Sequence, residues 1–201
     1  RVADIYPSKP GPLQYLFPLL TKLPRFVLPG RAKFLLDFGD TSKPVGAAFN
    51  NPPISSNKGM EANTKQWRNA EIPAANGHGT ARSIAKLYGI LANGGSRDGI
   101  HVLSPETIEK ARQTQSDGRD LVLGGMRTRF GLGFMLGTEN VSMGPNPNAF
   151  GHGGAGGSLG FSDPDNNISL GFVMNQMHQG ITAWKTATDV AESVYKALSL
   201  N

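Results

Sequence analysis

Apolar and polar positions follow two different rhythms along this chain, and its first part follows neither. From residue 1 to about 75 the pattern is broken by prolines at 7, 10, 12, 18, 24, 29, 44, 52 and 53, which predicts an irregular region. Leu13-Gln-Tyr-Leu-Phe17 and Phe34-Leu-Leu36 are its helical fragments, expected to stay short because proline blocks extension. Between Pro18 and Leu36, Leu, Phe and Val alternate with Lys22, Arg25, Arg31 and Lys33. Such a stretch either lies on a membrane surface or packs as a lid over a core. The prolines prevent one continuous amphipathic helix and so favour the lid.

A helical period sets in next, over residues 76–115. Ile84, Leu87, Tyr88 and Leu91 share a face of Ala81–Ala92, Thr80 is placed to cap its start, and Asn93-Gly94-Gly95 to stop it. Ser104-Pro-Glu-Thr107 opens a second helix, expected to run to about Thr114. The final zone, 128–201, predicts strands and then a helix. Phe130, Leu132 and Phe134 alternate over Arg129–Leu136. Gly157–Ser162 and Ile168–Met174 flank a hairpin turn at Asp163-Pro-Asp-Asn-Asn167. From Ile181 onward, Ile181, Trp184, Thr188, Ala191, Val194, Tyr195 and Leu198 mark an apolar helical face. Met174, Met177 and Trp184 read as core.

Composition narrows the function classes. The chain has 201 residues, a hydrophobic fraction of 38% and a charged fraction of 17%, which suits one domain or a large piece of one. Without cysteine there is no disulfide framework, thiolate metal site or Cys nucleophile. The net charge of +5 favours anionic partners weakly, and its scattered basic residues argue against a nucleic-acid role. His78, His101, His152 and His178 show no metal-ligand spacing, and no metal or cofactor is expected. No apolar run approaches the roughly 20 residues of a membrane span. The opening Arg1-Val-Ala-Asp4 predicts a chain processed from, or cut out of, a longer protein.

Candidate chemistry concentrates in Phe150-Gly-His-Gly-Gly-Ala-Gly-Gly-Ser-Leu-Gly160. Gly151, Gly153 and Gly156 spell a dinucleotide fingerprint; Gly156, Ser158 and Gly160 spell a nucleophile elbow. Both motifs need strand, turn and helix in succession. Here strand residues follow the glycines, so neither context is met. What remains is a Gly-rich strand edge, open to close approach by a backbone or a ligand. A Ser158, Asp163 and His178 triad has the chain order of an α/β-hydrolase but lacks the elbow.

The stretches "FGHGGAGGSLGFSDPDNNISLGFVMNQM" (150–177) and "IPAANGHGTARSIAKLYGILANGG" (72–95) resemble the serine β-lactamase-like family of class C β-lactamases, D-Ala-D-Ala peptidases and related esterases, the esterase-like branch most. That resemblance implies an α+β fold, an antiparallel sheet flanked by helices. This chain would supply its C-terminal part over 1–201: later helices, edge strands and C-terminal helix. It implies acyl transfer from an ester, amide or lactam to a serine. His152-Gly153-Gly154 stands where the family's Lys-Thr-Gly would, and the N–H of Ala155 would be an oxyanion donor. Asn76 and His78 lie in a loop that borders the substrate cleft in similar proteins.

The family's Ser-x-x-Lys and Tyr-x-Asn/Ser are harder to place. Ser83-Ile-Ala-Lys86 sits on a helix that comes late in the family order, and reads as a solvated face. Ser55-Ser-Asn-Lys58 sits in a loop, and Tyr6-Pro-Ser8 at the extreme N-terminus. The expectation is therefore that nucleophile and Tyr lie upstream, that the 201 residues alone are inactive, and that the missing N-terminal half is the obligatory partner beside a small-molecule acyl substrate. A homo-oligomer is compatible with this. The alternative is a non-catalytic scaffold or filament-forming protein of the same fold.

Overall fold

In the computed structural model, residues 2–9, 11–139, 141–178 and 185–199 are described. Their organisation is a six-stranded antiparallel sheet between two helical layers. Helices α1 (Pro12–Leu20), α2 (Gly30–Gly39), α3 (Pro44–Phe49) and α4 (Lys65–Asn69) precede α5 (Ala81–Ala92). A two-stranded hairpin, β1 (Ser96–Arg97) and β2 (Ile100–His101), leads to α6 (Pro105–Ala111). The sheet follows in chain order: β3 (Ser116–Asp120), β4 (Met126–Phe130), β5 (Met135–Leu136), β6 (Phe150–Gly153), β7 (Leu159–Asp163) and β8 (Ile168–Phe172). Helix α7 (Lys185–Ala197) closes the described chain.

The period of two decides which side chains meet which layer. Met135, Leu159, Phe161 and Leu170 face α7 and bury Ala187, Ala191 and Tyr195, with the Phe161 and Tyr195 rings stacked at 6.4 Å. Leu136 and Phe150 point the other way, into a second cluster with Leu91 and Ile108 from α5 and α6. Helix α5 lies directly on β7 and β8. A Cβ at Gly160 would stand 2.5 Å from the Tyr88 ring, and one at Gly171 would collide with the Ala81 carbonyl, so glycine is what permits this contact.

The register sorts the turns into two ends. Pairings Asp120↔Met126, Leu136↔Phe150, Gly153↔Leu159 and Asp163↔Ile168 put turns 121–125 and 164–167 at one end. Turns 131–134 and 154–158 lie at the other end.

Several expectations change. Arg129–Leu136 is not one strand, because Gly131 donates to the Phe134 carbonyl and Leu132 to the Ala111 carbonyl, which turns the chain between β4 and β5. β3 is a polar edge strand that the apolar pattern does not signal. α1 runs through Pro18 to Leu20, longer than proline was expected to allow, since Pro18 falls in its last turn. α6 stops at Ala111, short of Thr114. Within Pro18–Leu36, Leu19, Leu23, Phe26 and Val27 are exposed, while Leu28 and Ala32 are buried. Met174 and Met177 are half-buried, while Ile181 and Trp184 lie outside the described residues.

Candidate active site

β5 has two residues and pairs only Phe150 and Gly151 of β6. From His152 onward, β6 is bonded on the β7 side alone, to Gly160 and Leu159, and its other edge is open. The chain then reverses through Gly154–Ser158, with Gly156 and Gly157 at φ values of +87 and +111 that a side chain would resist. Gly154 N–H donates back to the Ser158 carbonyl at 2.8 Å, and Gly157 N–H donates to the Gly154 carbonyl. Among the described residues the Ala155 N–H has no acceptor. The Gly-rich edge read from the sequence is thus β6 plus a hairpin turn: His152 and Gly153 are strand, Gly154 and Ala155 are turn.

His152 is held locally. Its Nδ1 lies 2.5 Å from the Gly153 carbonyl, an acceptor only, so Nδ1 carries the proton and Nε2 is left for a ligand. The Phe130 ring lies 6.1 Å from the imidazole. Beside it runs a groove of about 310 Å³, floored by Gly153, Gly154 and Gly160 and walled by Ile84, Tyr88, Ser158 and Phe172. Burial raises the Tyr88 phenol above its ordinary pKa, which keeps that wall uncharged. Main-chain N–H groups and an imidazole at the rim of an apolar groove can polarise a carbonyl and move a proton.

Neither Asn76 nor His78 lines this groove. The Asn76 amide is consumed in its own turn: it accepts from Ile72 N–H at 3.2 Å and donates to the Trp67 and Ala70 carbonyls. His78 is exposed in the loop before α5. Ile84 and Tyr88 were legible only as an apolar helical face; their second role as groove wall depends on which strand α5 crosses.

The rival nucleophiles lose their footing. Ser83 completes a capping box, its Oγ accepting from Thr80 N–H at 2.9 Å while Thr80 Oγ1 accepts from Ser83 N–H at 3.1 Å. Ser55 precedes, and Lys58 lies within, a turn closed by Ser56 and Gly59, with no helix to align them. Tyr6 is tied by its main chain to Asn175 and Met177. Ser158 leads into a strand rather than a helix, and Asp163 lies five residues along β7, about 16 Å away at strand rise, where Tyr195, Asn146 and Asn166 occupy it. No such triad forms. Among the described residues no group of His, Asp and Glu is arranged to hold a metal ion.

Comparison with known proteins identifies the family and the fold. A family model described as Beta-lactamase matches residues 35–192. An esterase/β-lactamase, LipL, of Mycobacterium tuberculosis (strain ATCC 25618 / H37Rv) is 41% identical over 112 residues, 54% of this chain and 24% of that protein. Among solved structures, a penicillin-binding protein homologue from Caulobacter crescentus shares 38% identity, with TM-score 0.67, over 76% of this chain and 40% of its own. A family VIII carboxylesterase also shares 38% identity, with TM-score 0.68 and the same coverage. EstA from Arthrobacter nitroguajacolicus Rue61a shares 27%, with TM-score 0.66, over 80% of this chain and 42% of its own. The chain therefore spans less than half the length of each of these relatives. Its antiparallel sheet, with α5 and α6 on one face and α7 on the other, is the α+β architecture of the β-lactamase/transpeptidase-like fold. The chain belongs to the β-lactamase family.

Proposed function

We propose that this chain forms one wall of the active site of a serine hydrolase that acts by acyl transfer, with esters as the preferred substrates over amides and lactams. The observation that supports this most is the open edge from His152 to Ala155, where β5 stops, Gly154 lines an apolar groove and, among the described residues, the Ala155 N–H has no acceptor. The Ala155 amide stabilises the oxyanion as the ester carbonyl is attacked. His152 presents Nε2 to a hydroxyl or to the leaving oxygen. Gly153 and Gly154 keep side chains away from the substrate's path. The attacking serine and its lysine come from a Ser-x-x-Lys outside these 201 residues, on the complementary half of the domain; water then releases the acyl group. The outer edge of β8, the last strand of the sheet, offers that half a pairing surface. Asn76 acts through its turn, shaping the approach to α5, rather than by touching substrate.

The esterase reading is favoured over a non-catalytic scaffold by that same unpaired amide, since a scaffold gains nothing from leaving it open. The test uses the protein together with its complementary half: incubation with a p-nitrophenyl ester, then mass spectrometry for an acylated serine. An acyl adduct on a serine outside residues 1–201 is expected, and His152→Ala slows its formation without changing the melting temperature. Absence of any adduct, or of a Ser-x-x-Lys in the complementary half, leaves the scaffold reading standing instead.

A further inference from the structure

The proline-rich segment carries a surface that the acyl-transfer site does not use. Tyr15, Leu16 and Leu19 of α1, Leu23 after it, and Phe26 and Val27 of the following 3-10 turn are all exposed, Phe26 at 84% and Tyr15 at 72%. Monomeric soluble proteins scatter such residues singly and seldom cluster them in one short segment. The charges within this segment are all of one sign. From Gly11 to Leu36 there is no Asp or Glu, while Lys22, Arg25, Arg31 and Lys33 are all basic. The first carboxylate, Asp37, takes Arg25 at 2.7 Å. Lys22 stands exposed between Leu19 and Leu23.

The patch also lies away from the groove. Phe34 of α2 rests on Gly124, whose Cβ would stand 2.8 Å from its ring, in the turn between β3 and β4. That turn is at the opposite end of the sheet from Gly154–Ser158.

We propose that α1 and the 3-10 turn after it form an interfacial binding surface for anionic lipid bilayers. Aromatic and leucine side chains enter the boundary between head groups and acyl chains, and Lys22 meets lipid phosphates. This is the combination that membrane-surface segments use. Charge selects the occupant: with Arg25 paired to Asp37, exposed Lys22 still leaves the patch cationic, which disfavours a second copy of itself and favours an anionic leaflet. The segment docks on the bilayer without crossing it, as no helix among the described residues is long and apolar enough to span one.

The test is co-sedimentation of the full protein with vesicles of phosphatidylcholine alone and of phosphatidylcholine mixed with phosphatidylglycerol, at low and high salt. Binding to the mixed vesicles, weakened by salt, is expected. Lys22→Ala should weaken it about five-fold, and Leu19→Ser with Phe26→Ser by more than about ten-fold. A Phe26→Trp variant reports the patch directly, its indole emission shifting to the blue only when mixed vesicles are added. Equal binding to both vesicle types, no binding at low salt, or an indole emission already blue-shifted when the Phe26→Trp variant is free in solution would overturn the proposal. That last result would mean that the rest of the domain or another copy covers the patch. Each of these outcomes is independent of whether the protein acylates a serine.

Discussion

The two ends of the sheet treat polar groups in opposite ways. At the 164–167 end, Asp163 is fully buried and fully engaged. Its carboxylate accepts from the Tyr195 hydroxyl at 2.5 Å, Asn146 Nδ2 at 2.6 Å, Asn166 Nδ2 at 2.8 Å and Asn166 N–H at 3.2 Å. At the 154–158 end, the Ala155 N–H has no acceptor among the described residues and His152 lines a groove. A buried polar group is stable when satisfied and costly when orphaned. Around Asp163 the hydrogen-bonding groups are spent on the fold, Ser162 Oγ beside it being the exception, whereas around Ala155 they are not. Substitutions should therefore separate stability from chemistry according to the end they touch.

The largest effect is expected at Asp163. Asp163→Ala removes the common acceptor of Tyr195, Asn146 and Asn166 and leaves three side chains with buried or half-buried donors unmatched. The cost is about 3 kcal/mol or more, read as a lower denaturation midpoint. The rate of ester acylation per folded molecule should stay the same. A variant that unfolds normally but fails to acylate would break the contrast between the two ends.

That network was not legible in the sequence, although its residues were. Gly144-Pro-Asn-Pro-Asn148 reads as a loop and Asp163-Pro-Asp-Asn-Asn167 as a hairpin turn. Nothing in either predicts that Asn146 bridges Asp163 and Asp165 across the fold. Local signals were reliable where local physics decides. Thr80 caps α5 as its hydroxyl chemistry requires, and the alternation of Leu159, Phe161, Ile168 and Leu170 is the α7-facing side of the β7–β8 hairpin. β3, with the sequence Ser-Asp-Gly-Arg-Asp, escapes notice because pairing with β4 holds it, reinforced by the bidentate Arg127–Asp117 contact at 2.8 Å, rather than burial. At the candidate site, the Gly-rich edge was legible as composition. Its openness was not, because it depends on β5 ending after two residues.

A smaller effect with a pH signature is expected at Tyr195. Burial first, then the hydrogen bond to Asp163 and the charge of that carboxylate, hold its phenol protonated far above the ordinary tyrosine range. A folded-state pKa raised above the unfolded value, about 10 for tyrosine, stabilises below that pH and is progressively lost above it. Tyr195→Phe should cost about 1 to 1.5 kcal/mol at neutral pH and flatten the alkaline fall in stability. Tyr88, raised by burial in the same direction, keeps part of the slope. Unfolding in urea at neutral pH and above about pH 10 measures both. If the variant and the parent lose stability in parallel as pH rises, the Asp163–Tyr195 bond is not what locks α7 to the sheet.

The smallest effect sharpens the comparison most, because it falls at Ser83, whose hydroxyl is held in the cap of α5. Ser83-Ile-Ala-Lys86 satisfies the nucleophile spacing of the family, yet its hydroxyl accepts from Thr80 N–H and donates to the Thr80 carbonyl at 2.8 Å. A serine committed to a helix cap has its oxygen directed at the backbone of its own first turn, away from any substrate. Lys86 is exposed on the same helix. Ser83→Ala should therefore cost about 1 kcal/mol, the usual worth of a cap. Lys86→Ala should stay within about 0.5 kcal/mol, as surface substitutions do. Neither should change the yield of acylated serine. Loss of the adduct in Ser83→Ala with the fold intact would move the nucleophile into this chain and overturn the proposed division of labour between two halves of the domain. Retention of the adduct, with only a small drop in midpoint, places Ser83 among the groups spent on structure, as the capping geometry requires.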